Sequence, residues 1–534
     1  MSAPRAPRAL AWSALVGVVA AAALLAASEA FAAVLARDAS PLLAVGSFVV
    51  DVVPRPLKEF AITAFGSLDK VALLVGLGIA AAIGAALAGL LQYRRPPFGA
   101  ILLALGGAAA TAAVATRSGA GFLSWLPPVL GTVVGVGLLV MMSERLRRWT
   151  SAAAAVAAEP AEADAASGDG ADATSTGARV DRRSFLLFSA ITAAAAVVVG
   201  VGARVVNAAS ASIAAARDAL RLPAPRATVA VPAGAELDVP GITPLFTSNA
   251  DFYRVDTALT VPQIDPTTWR LVVDGMVGQR VELSFDDLIG MGLDEYVITL
   301  TCVSNEIGGD LVGNARWLGV PVRDVLAMAA PGADADMVLS RSVDGYTAST
   351  PLSALTDPSI DAILAVAMNG EPLPLEHGFP VRMVVPGLYG YVSATKWLTE
   401  LKVTTFAQDE AYWTPRGYSA QAPIKMSSRV DTPKIGSPVP AGLVPIAGMA
   451  WAQGVGVARV ELSIDDGEWQ QATLSNPVND DTWVQWTLPW QATPGTHYIT
   501  VRAVDKAGNV QIQEAAPIAP NGSSGWQRTL VSVT

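Results

Sequence analysis

Cys302 is the only cysteine among the 534 residues of the chain. It cannot form an intrachain disulfide, and a thiolate is a soft ligand that suits a redox-active transition metal. The alternative role is that of a small residue in a hydrophobic core. β-Branched and aromatic residues predict a strand over Tyr296–Cys302, followed by a Gly-rich loop and a short helix from Val322. The thiol then lies at a strand end, where loops can form a site around it.

Two other stretches place polar and basic side chains among aromatic residues, glycine or proline. The first is TSNADFYR, which ends at Arg254, and the second runs from His377 through HGFPVRMVVPGLYG to Lys396 and Trp397. Arg382 and Lys396 suit a phosphate, and glycines let a planar ligand approach the backbone. The alternative for each stretch is a surface loop with solvated charges.

Composition excludes several classes of function. A formal net charge of −10 argues against nucleic-acid binding, which needs a basic surface. The sequence has no Cys-x-x-Cys-His motif for covalent haem and no second cysteine for an iron–sulfur cluster. Electrons must therefore be exchanged with another protein or a quinone. The two histidines, His377 and His497, leave open a copper site formed with Cys302 and a methionine.

The amino-terminal part of the chain has the composition of a membrane anchor, since 52% of all residues are hydrophobic and four apolar runs come first. The predicted spans are Leu10–Leu35, Val71–Leu91, Phe98–Thr116 and Trp125–Met142. In the second run, small residues recur every fourth position at Gly76, Ala80, Gly84 and Ala88, and we expect a neighbouring helix to pack there. Arginines between the second and third runs and after the fourth predict a cytoplasmic amino terminus.

A polar linker and an export signal follow. Residues 151–181 include a run rich in Ala, Asp, Glu, Ser and Gly that cannot bury enough apolar surface to fold. Arg182 and Arg183, followed by Ser-Phe-Leu, resemble the twin-arginine signal for export of folded proteins, and the apolar run to Val206 predicts a fifth transmembrane helix. The rest of the chain is then extracytoplasmic on a multi-pass protein of the cell membrane.

The exported part alternates short strand patterns with turns, which predicts a mixed α and β domain followed by an all-β domain. In the first domain, Trp269–Val273 and Val281–Leu283 predict a hairpin and Phe285–Gly290 a short helix. From Lys425, strand patterns such as Val457–Ile464 predict a β-sandwich of the immunoglobulin type. Its core is expected to contain six tryptophans: Trp451, Trp469, Trp483, Trp486, Trp490 and Trp526.

From Thr247 to the carboxyl terminus the chain resembles the sulfite oxidase family of molybdopterin enzymes. The resemblance rests on TCVSNEIGGD, ARWLGVPVRDVL and above all HGFPVRMVVPGLYGYVSATKWL. It implies a molybdenum–molybdopterin cofactor with Cys302 as the metal ligand, and a terminal domain that forms a homodimer. The other residues that it implies in the cofactor site are Asn249, Tyr253, Arg254, Ser342, His377, Arg382, Ala394, Thr395 and Lys396.

The expected reaction is two-electron oxygen-atom transfer to or from a small-molecule substrate, which the cofactor would perform. Sulfite-oxidising members carry arginines near the ligand cysteine, whereas this chain has Glu306 and Ile307 there. A carboxylate repels a sulfite dianion, although Arg254 or Arg341 could compensate at the catalytic centre. A neutral S-oxide or N-oxide is equally open as substrate. The rival from another class is an anchored, non-catalytic binding protein in which Cys302 is merely buried.

The sequence therefore predicts a multidomain chain with an all-α membrane anchor of about five helices, a mixed α+β molybdopterin domain and a C-terminal immunoglobulin-like β-sandwich. The boundaries are 1–150 for four transmembrane helices, 151–181 for the linker, 182–206 for the signal and fifth helix, 207–424 for the catalytic domain, and 425–534 for the sandwich.

Overall fold

The computed structural model of the chain describes residues 6–35, 44–46, 48–49, 69–116, 122–158, 212–258 and 260–534. The chain divides into two compact units, of which the first contains residues up to Ser210 and the second nearly all of the rest. The predicted fifth helix with Arg182 and Arg183 lies outside the described residues, as do residues 159–181 of the linker.

The first unit contains four helices that are long and apolar enough to cross a membrane. They are α1 (Ala6–Leu35), α2 (Asp69–Arg94), α3 (Phe98–Ala115) and α4 (Leu126–Ala158). Helix α4 continues past the predicted end of the anchor at residue 150, so residues 151–158 are helical rather than disordered linker. Alanine, which dominates this stretch, is the best helix former and extends the helix beyond the apolar span.

The small-residue contact on α2 involves only the last member of the ridge predicted from Gly76, Ala80, Gly84 and Ala88. Gly76 and Gly84 have open space around them, whereas a side chain at Gly89 would overlap the backbone at Ser13 and Gly17 of α1. The close approach of these helices therefore uses Gly89, next to the buried Ala88. Four-residue spacing cannot identify the face that packs when small residues also lie elsewhere on the helix.

The second unit begins with a helix at residues 212–219 (α5) and then contains two sheets followed by a sandwich. One five-stranded sheet has the order β2-β1-β10-β5-β6, with β1 and β10 parallel and the other pairs antiparallel. Its strands are β1 (Arg270–Gly275), β2 (Val281–Ser284), β5 (Met337–Ser342), β6 (Thr347–Pro351) and β10 (Leu398–Thr404).

The other five-stranded sheet has the order β3-β4-β7-β8, and β9 also pairs with β7. Its strands are β3 (Asp294–Thr301), β4 (Val312–Pro321), β7 (Ile363–Met368), β8 (Glu371–Pro372) and β9 (Arg382–Val384). Three short helices connect the strands of the two sheets: α6 (Phe285–Gly290), α7 (Val322–Ala329) and α8 (Leu352–Thr356). Side chains from both sheets and from α6 and α7 share one hydrophobic core that includes Leu271, Leu288, Val325 and Leu364.

The carboxyl-terminal part is β-rich, as predicted, and contains two four-stranded antiparallel sheets around a common core that includes Ile446, Leu462 and Trp486. Their orders are β11-β12-β16-β15 and β14-β13-β17-β18. The strands are β11 (Ser427–Thr432), β12 (Gly442–Trp451), β13 (Val457–Ile464), β14 (Gln470–Gln471), β15 (Thr473–Leu474), β16 (Val484–Ala492), β17 (Gly495–Asp505) and β18 (Gln527–Val533).

Four of the six tryptophans predicted for the sandwich core are not in it, since Trp451 and Trp483 belong to a separate buried cluster with Leu245 and Val312. Trp469 and Trp526 are half-buried and contact each other edge to face, with their ring centroids 5.1 Å apart. The guanidinium of Arg502 lies 3.9 Å from the Trp469 ring centroid. This cation–π contact stabilises the two rings at the surface.

Candidate active site

Cys302 lies at the wall of a cleft that the two sheets and the loops between them form. The cleft contains about 940 Å³ of empty space, including the solvent at its mouth. Seven residues predicted for the site line it together: Tyr253, Cys302, Ser342, His377, Arg382, Ala394 and Lys396.

The position of Cys302 follows from β3 and the loop after it. Strand β3 ends at Thr301, and the Cys302 amide donates a hydrogen bond to the Leu311 carbonyl (2.9 Å), which closes the loop. The buried side chain of Asn305 accepts a hydrogen bond from the Leu311 amide (2.9 Å) and stabilises the same loop. The amide of Ser304 points at the sulfur (3.4 Å). Burial raises the pKa of the Cys302 thiol, so the free thiol holds its proton unless a metal ion replaces it.

Arg382 supplies a buried positive charge to the cleft. It lies on β9, only 5% exposed, and its Nη1 donates to the His377 carbonyl (3.2 Å). Its Nε is buried without a hydrogen-bond partner, as is the Ser342 hydroxyl. Burial lowers the pKa of Arg382 to about 10, so the guanidinium is still charged at neutral pH. Buried donors without partners indicate that a ligand completes the site.

Gly378 allows Arg382 and Lys396 to approach each other. Its φ is +112°, and a Cβ there would lie 3.0 Å from the Arg382 Cβ and 3.1 Å from the Lys396 Cβ. The Lys396 ammonium donates to the Asp256 carboxylate (2.7 Å) and to the Glu376 carbonyl (3.1 Å). Burial lowers the pKa of Lys396 to about 8, although Asp256 opposes the shift.

His377 is a neutral donor rather than a cation. Burial, and then the charges of Arg382 and Lys396, lower its pKa to about 4. Its Nε2 lies 3.1 Å from the carbonyl oxygen of Asn249, which can only accept, so this nitrogen carries the hydrogen. Phe252 packs edge to face against the imidazole, with ring centroids 5.6 Å apart.

Four predicted site residues do not line the cleft. The Arg254 side chain pairs with Asp256 (2.9 Å), and Arg341 pairs with Glu400 of β10 (2.7 Å). Asn249 accepts a hydrogen bond from the Asn369 side chain (2.9 Å), and the Thr395 hydroxyl lies 2.7 Å from that of Ser340. Strand alternation explains why Arg341 does not line the cleft, because its side chain points to the face opposite Ser340 and Ser342. Glu306 is exposed and also does not line the cleft, so its carboxylate cannot exclude sulfite there.

Several residues that line the cleft are not predicted by the sequence patterns. They are Asp344 in the turn between β5 and β6, Tyr346 just after it, Tyr391 in a 3₁₀ turn, and Trp413 and Tyr418 in the connection to the sandwich. The turn signal Asp-Gly at Asp344 was available in the sequence, but the aromatic residues come from three separate segments. No local pattern connects such segments.

The copper hypothesis is not favoured. Cys302 and His377 line one cleft, but His497 lies in β17, where it contacts the Asp465 carboxylate (2.7 Å). Within the described ranges, no group of three or more His, Cys, Asp and Glu residues is arranged to hold a metal ion.

Comparisons with known proteins match the part of the chain that forms most of this cleft. Residues 258–413 match the family described as the oxidoreductase molybdopterin binding domain, and residues 419–519 match the Mo-co oxidoreductase dimerisation domain. The mitochondrial sulfite oxidase of Mus musculus is 32% identical over 373 residues, which cover 60% of this chain and 67% of that protein. The mitochondrial sulfite oxidase of Homo sapiens is 32% identical over 374 residues, which cover 60% of this chain and 68% of that protein.

Among solved structures, the sulfane dehydrogenase SoxCD from Paracoccus pantotrophus matches with a TM-score of 0.48 and 22% identity, over 54% of this chain and 82% of that one. The identity and coverage of the sulfite oxidases, together with the two domain matches, decide the family. The chain belongs to the sulfite oxidase family, and is therefore an oxidoreductase with a molybdenum–molybdopterin cofactor.

Proposed function

We propose that the chain transfers an oxygen atom, with two electrons, to or from a small substrate at a molybdenum centre bound by Cys302. The observation that carries this proposal is the cleft itself, in which the only cysteine faces buried polar donors that have no partner in the described chain. When bound, the cofactor supplies the redox and oxygen-transfer chemistry, and the protein supplies binding, orientation and charge.

The residues of the cleft fit the chemistry of that cofactor. Cys302 offers a soft ligand in a buried position, and Arg382 and Lys396 offer positive charge to a phosphate. Ser342 would donate a hydrogen bond, the His377 Nδ1, which carries no hydrogen, would accept one, and the Asp344 carboxylate would accept others from the N–H groups of a pterin. Tyr253 and Ala394 would contact the cofactor through their positions in the wall. Asn249 supports the site indirectly, because its carbonyl orients His377.

Metal analysis of purified protein tests the assignment directly. We expect molybdenum close to one per chain, and loss of oxygen-transfer activity in Cys302→Ser while the protein still folds. The serine oxygen is a harder and less polarisable ligand than thiolate sulfur, so serine cannot replace Cys302 as the molybdenum ligand. An active preparation without molybdenum, or full activity in Cys302→Ser, would contradict the proposal.

We further propose that the four apolar helices anchor the protein in the cell membrane with the amino terminus in the cytoplasm and the catalytic domain outside. Arg94 and Arg95 follow the span of α2, and Arg145, Arg147 and Arg148 follow the apolar part of α4, which favours a cytoplasmic position for both ends. A domain that binds a cofactor made in the cytoplasm has to be exported already folded, which fits the twin-arginine pattern at Arg182.

The export proposal predicts that Arg182→Lys with Arg183→Lys retains the catalytic domain in the cytoplasm. Arg94→Lys with Arg95→Lys is the matched control, because it changes another arginine pair that no Ser-Phe-Leu follows. Protease accessibility of the catalytic domain in spheroplasts measures the difference. Equal export of both double variants would overturn the signal assignment.

The partners of the enzyme follow from the same features. The match to a dimerisation domain supports a homodimer formed through the carboxyl-terminal domain, which we propose is of the immunoglobulin type. Electrons would pass between the molybdenum centre and a separate protein or a quinone, because one cysteine cannot serve as molybdenum ligand and also hold an iron–sulfur cluster.

A further inference from the structure

The charges that line the cleft leave no cation for an anionic substrate. Among the described lining residues, the charged side chains are Asp256, Asp344, Arg382 and Lys396, which sum to zero. The cofactor phosphate would take up the positive charge of Arg382 and Lys396, so these two cations would not be available to an anionic substrate. The nearby Arg254 and Arg341 pair with Asp256 and Glu400 and do not line the cleft. A sulfite dianion would therefore find no further positive side chain to pair with among the described lining residues.

One wall of the cleft is a continuous series of aromatic rings, which we call the aromatic wall: Tyr346, Tyr412, Trp413, Tyr418 and Tyr391. Successive ring centroids in that order are 5.7, 5.2, 5.2 and 5.5 Å apart. The Tyr346 hydroxyl donates to the Tyr391 carbonyl (2.9 Å) and closes the series. All of these residues except Tyr412 line the cleft.

The aromatic wall presents rings rather than free hydroxyl groups. The Tyr391 hydroxyl donates to the Ser419 carbonyl (2.7 Å), and the Tyr346 hydroxyl donates to the Tyr391 carbonyl. Tyr346 and Cys302 line the same cleft, so the aromatic wall and the thiol face the same space. The substrate therefore meets apolar ring surface beside the reacting centre.

We propose that the substrate is an uncharged organic S-oxide or N-oxide, or its reduced form, that carries an aryl or branched alkyl group against the aromatic wall. This inference rests on the function proposed above and gives it a substrate class. In the reductive direction a sulfoxide takes up two electrons and two protons, its S–O bond breaks, and the oxygen leaves as water. Two equivalents of a reduced viologen supply the electrons in vitro. Trp413 and Tyr418 act as specificity residues, because their rings line the cleft from the connection after β10 and neither is among the residues assigned to the cofactor.

Equilibrium binding tests the aromatic wall without turnover. Methyl phenyl sulfone and dimethyl sulfone, which are not expected to react, are titrated calorimetrically into the molybdenum-loaded protein. We expect the phenyl compound to bind roughly tenfold more tightly or better, since a buried aromatic group adds apolar and ring contacts. Trp413→Ala should remove most of that advantage and Trp413→Phe should restore it. Trp469→Ala, outside the cleft, is the control and should leave it unchanged.

Turnover of the loaded enzyme gives the second readout. With reduced viologen, Trp413→Ala should raise KM for methyl phenyl sulfoxide roughly tenfold with little change in kcat, and should affect dimethyl sulfoxide less. Equal binding of the two sulfones, or a higher kcat/KM for sulfite than for the sulfoxides, would overturn this inference alone. Protein without molybdenum, or loaded enzyme that transfers oxygen to or from none of these compounds, would contradict the proposed function instead.

Discussion

At the scale of single residues, the site depends on buried polar groups that the chain leaves incomplete. Arg382 lies on a buried strand, where a charge is costly unless a partner compensates it. Its Nη1 donates a hydrogen bond to the His377 carbonyl, but its Nε has no acceptor in the described structure. The cation–π contact with Trp317, at 5.2 Å, gives partial compensation. The remaining compensation is expected from the cofactor.

Arg382→Lys should therefore lower cofactor retention although it keeps the charge. Lysine lacks the planar fork that binds phosphate through two parallel hydrogen bonds, and we expect affinity to fall at least about tenfold. Molybdenum and pterin content after gel filtration measures the loss. Arg341→Lys is the matched control, because Arg341 pairs with Glu400 outside the cleft. Equal retention in both variants would show that Arg382 does not bind the cofactor.

At the scale of elements, the parallel pairing of β1 with β10 depends on Gly275. It lies opposite Val403, has a φ of +88°, and a Cβ there would overlap the Val403 carbonyl. Gly370, in the turn between β7 and β8, has a similar φ of +83° but open space around it. An alanine at Gly370 would therefore add backbone strain alone, whereas an alanine at Gly275 would add both strain and steric overlap.

Gly370→Ala should cost about 1 kcal/mol, the strain of an alanine at positive φ. Gly275→Ala should cost clearly more, because the strands must also move apart to relieve the overlap. The midpoint of urea unfolding of the detergent-solubilised protein, followed by tryptophan fluorescence, compares the two variants. If both variants shifted the midpoint equally, the overlap at β10 would have no energetic consequence.

At the scale of the whole catalytic unit, the sandwich forms hydrogen bonds with the strand that directly precedes the active-site cysteine. Strand β3 is at the edge of its sheet, and the Thr299 amide donates to the Asp481 carbonyl (3.0 Å). The Asn479 side chain donates to the Val297 carbonyl (2.9 Å). These hydrogen bonds satisfy an edge that would otherwise be open to pairing with another chain. The position of Cys302 therefore depends on contacts that span 182 positions of the chain.

The same junction predicts a pH dependence of stability. Burial, and then the nearby Asp361 and Asp480, raise the pKa of Asp481 to about 6. The folded state therefore holds this proton more tightly than the unfolded state, and its contribution to stability falls as pH rises from about 4 to about 6. Above that range the ionised carboxylate costs no more than about 3 kcal/mol.

Asp481→Asn should therefore raise the thermal unfolding midpoint at pH 7.5 and change it much less at pH 4.5. Asparagine keeps the shape of the side chain without the buried charge. Glu468→Gln, which neutralises an exposed carboxylate of the sandwich, is the control and should have little effect at either pH. An equal change in the midpoint at both pH values would show that ionisation of Asp481 is not responsible.

The sequence by itself determined the elements whose periodicity or turn chemistry is local. The helix Phe285–Gly290 and the strand Val457–Ile464 have the predicted bounds. A Ser284 capping box and an Asp-Asp-Gly turn after Ile464 explain this agreement. A strand ending at Cys302 was also predicted, because β-branched residues precede it directly, and the observed strand ends one residue earlier, at Thr301. The family resemblance predicted the molybdenum–molybdopterin cofactor, and the family matches confirm this prediction.

Only the tertiary structure decided which of the candidate residues face one another. Strand β4 was interpreted as part of a loop because Gly, Asn and Arg interrupt its apolar residues, and its pairing with both β3 and β7 makes it a central strand. Arg254 and Arg341 are polar residues near the site in sequence, but their carboxylate partners hold them outside the cleft. The aromatic wall comes from three distant segments, and long-range packing brings them together where no local pattern could.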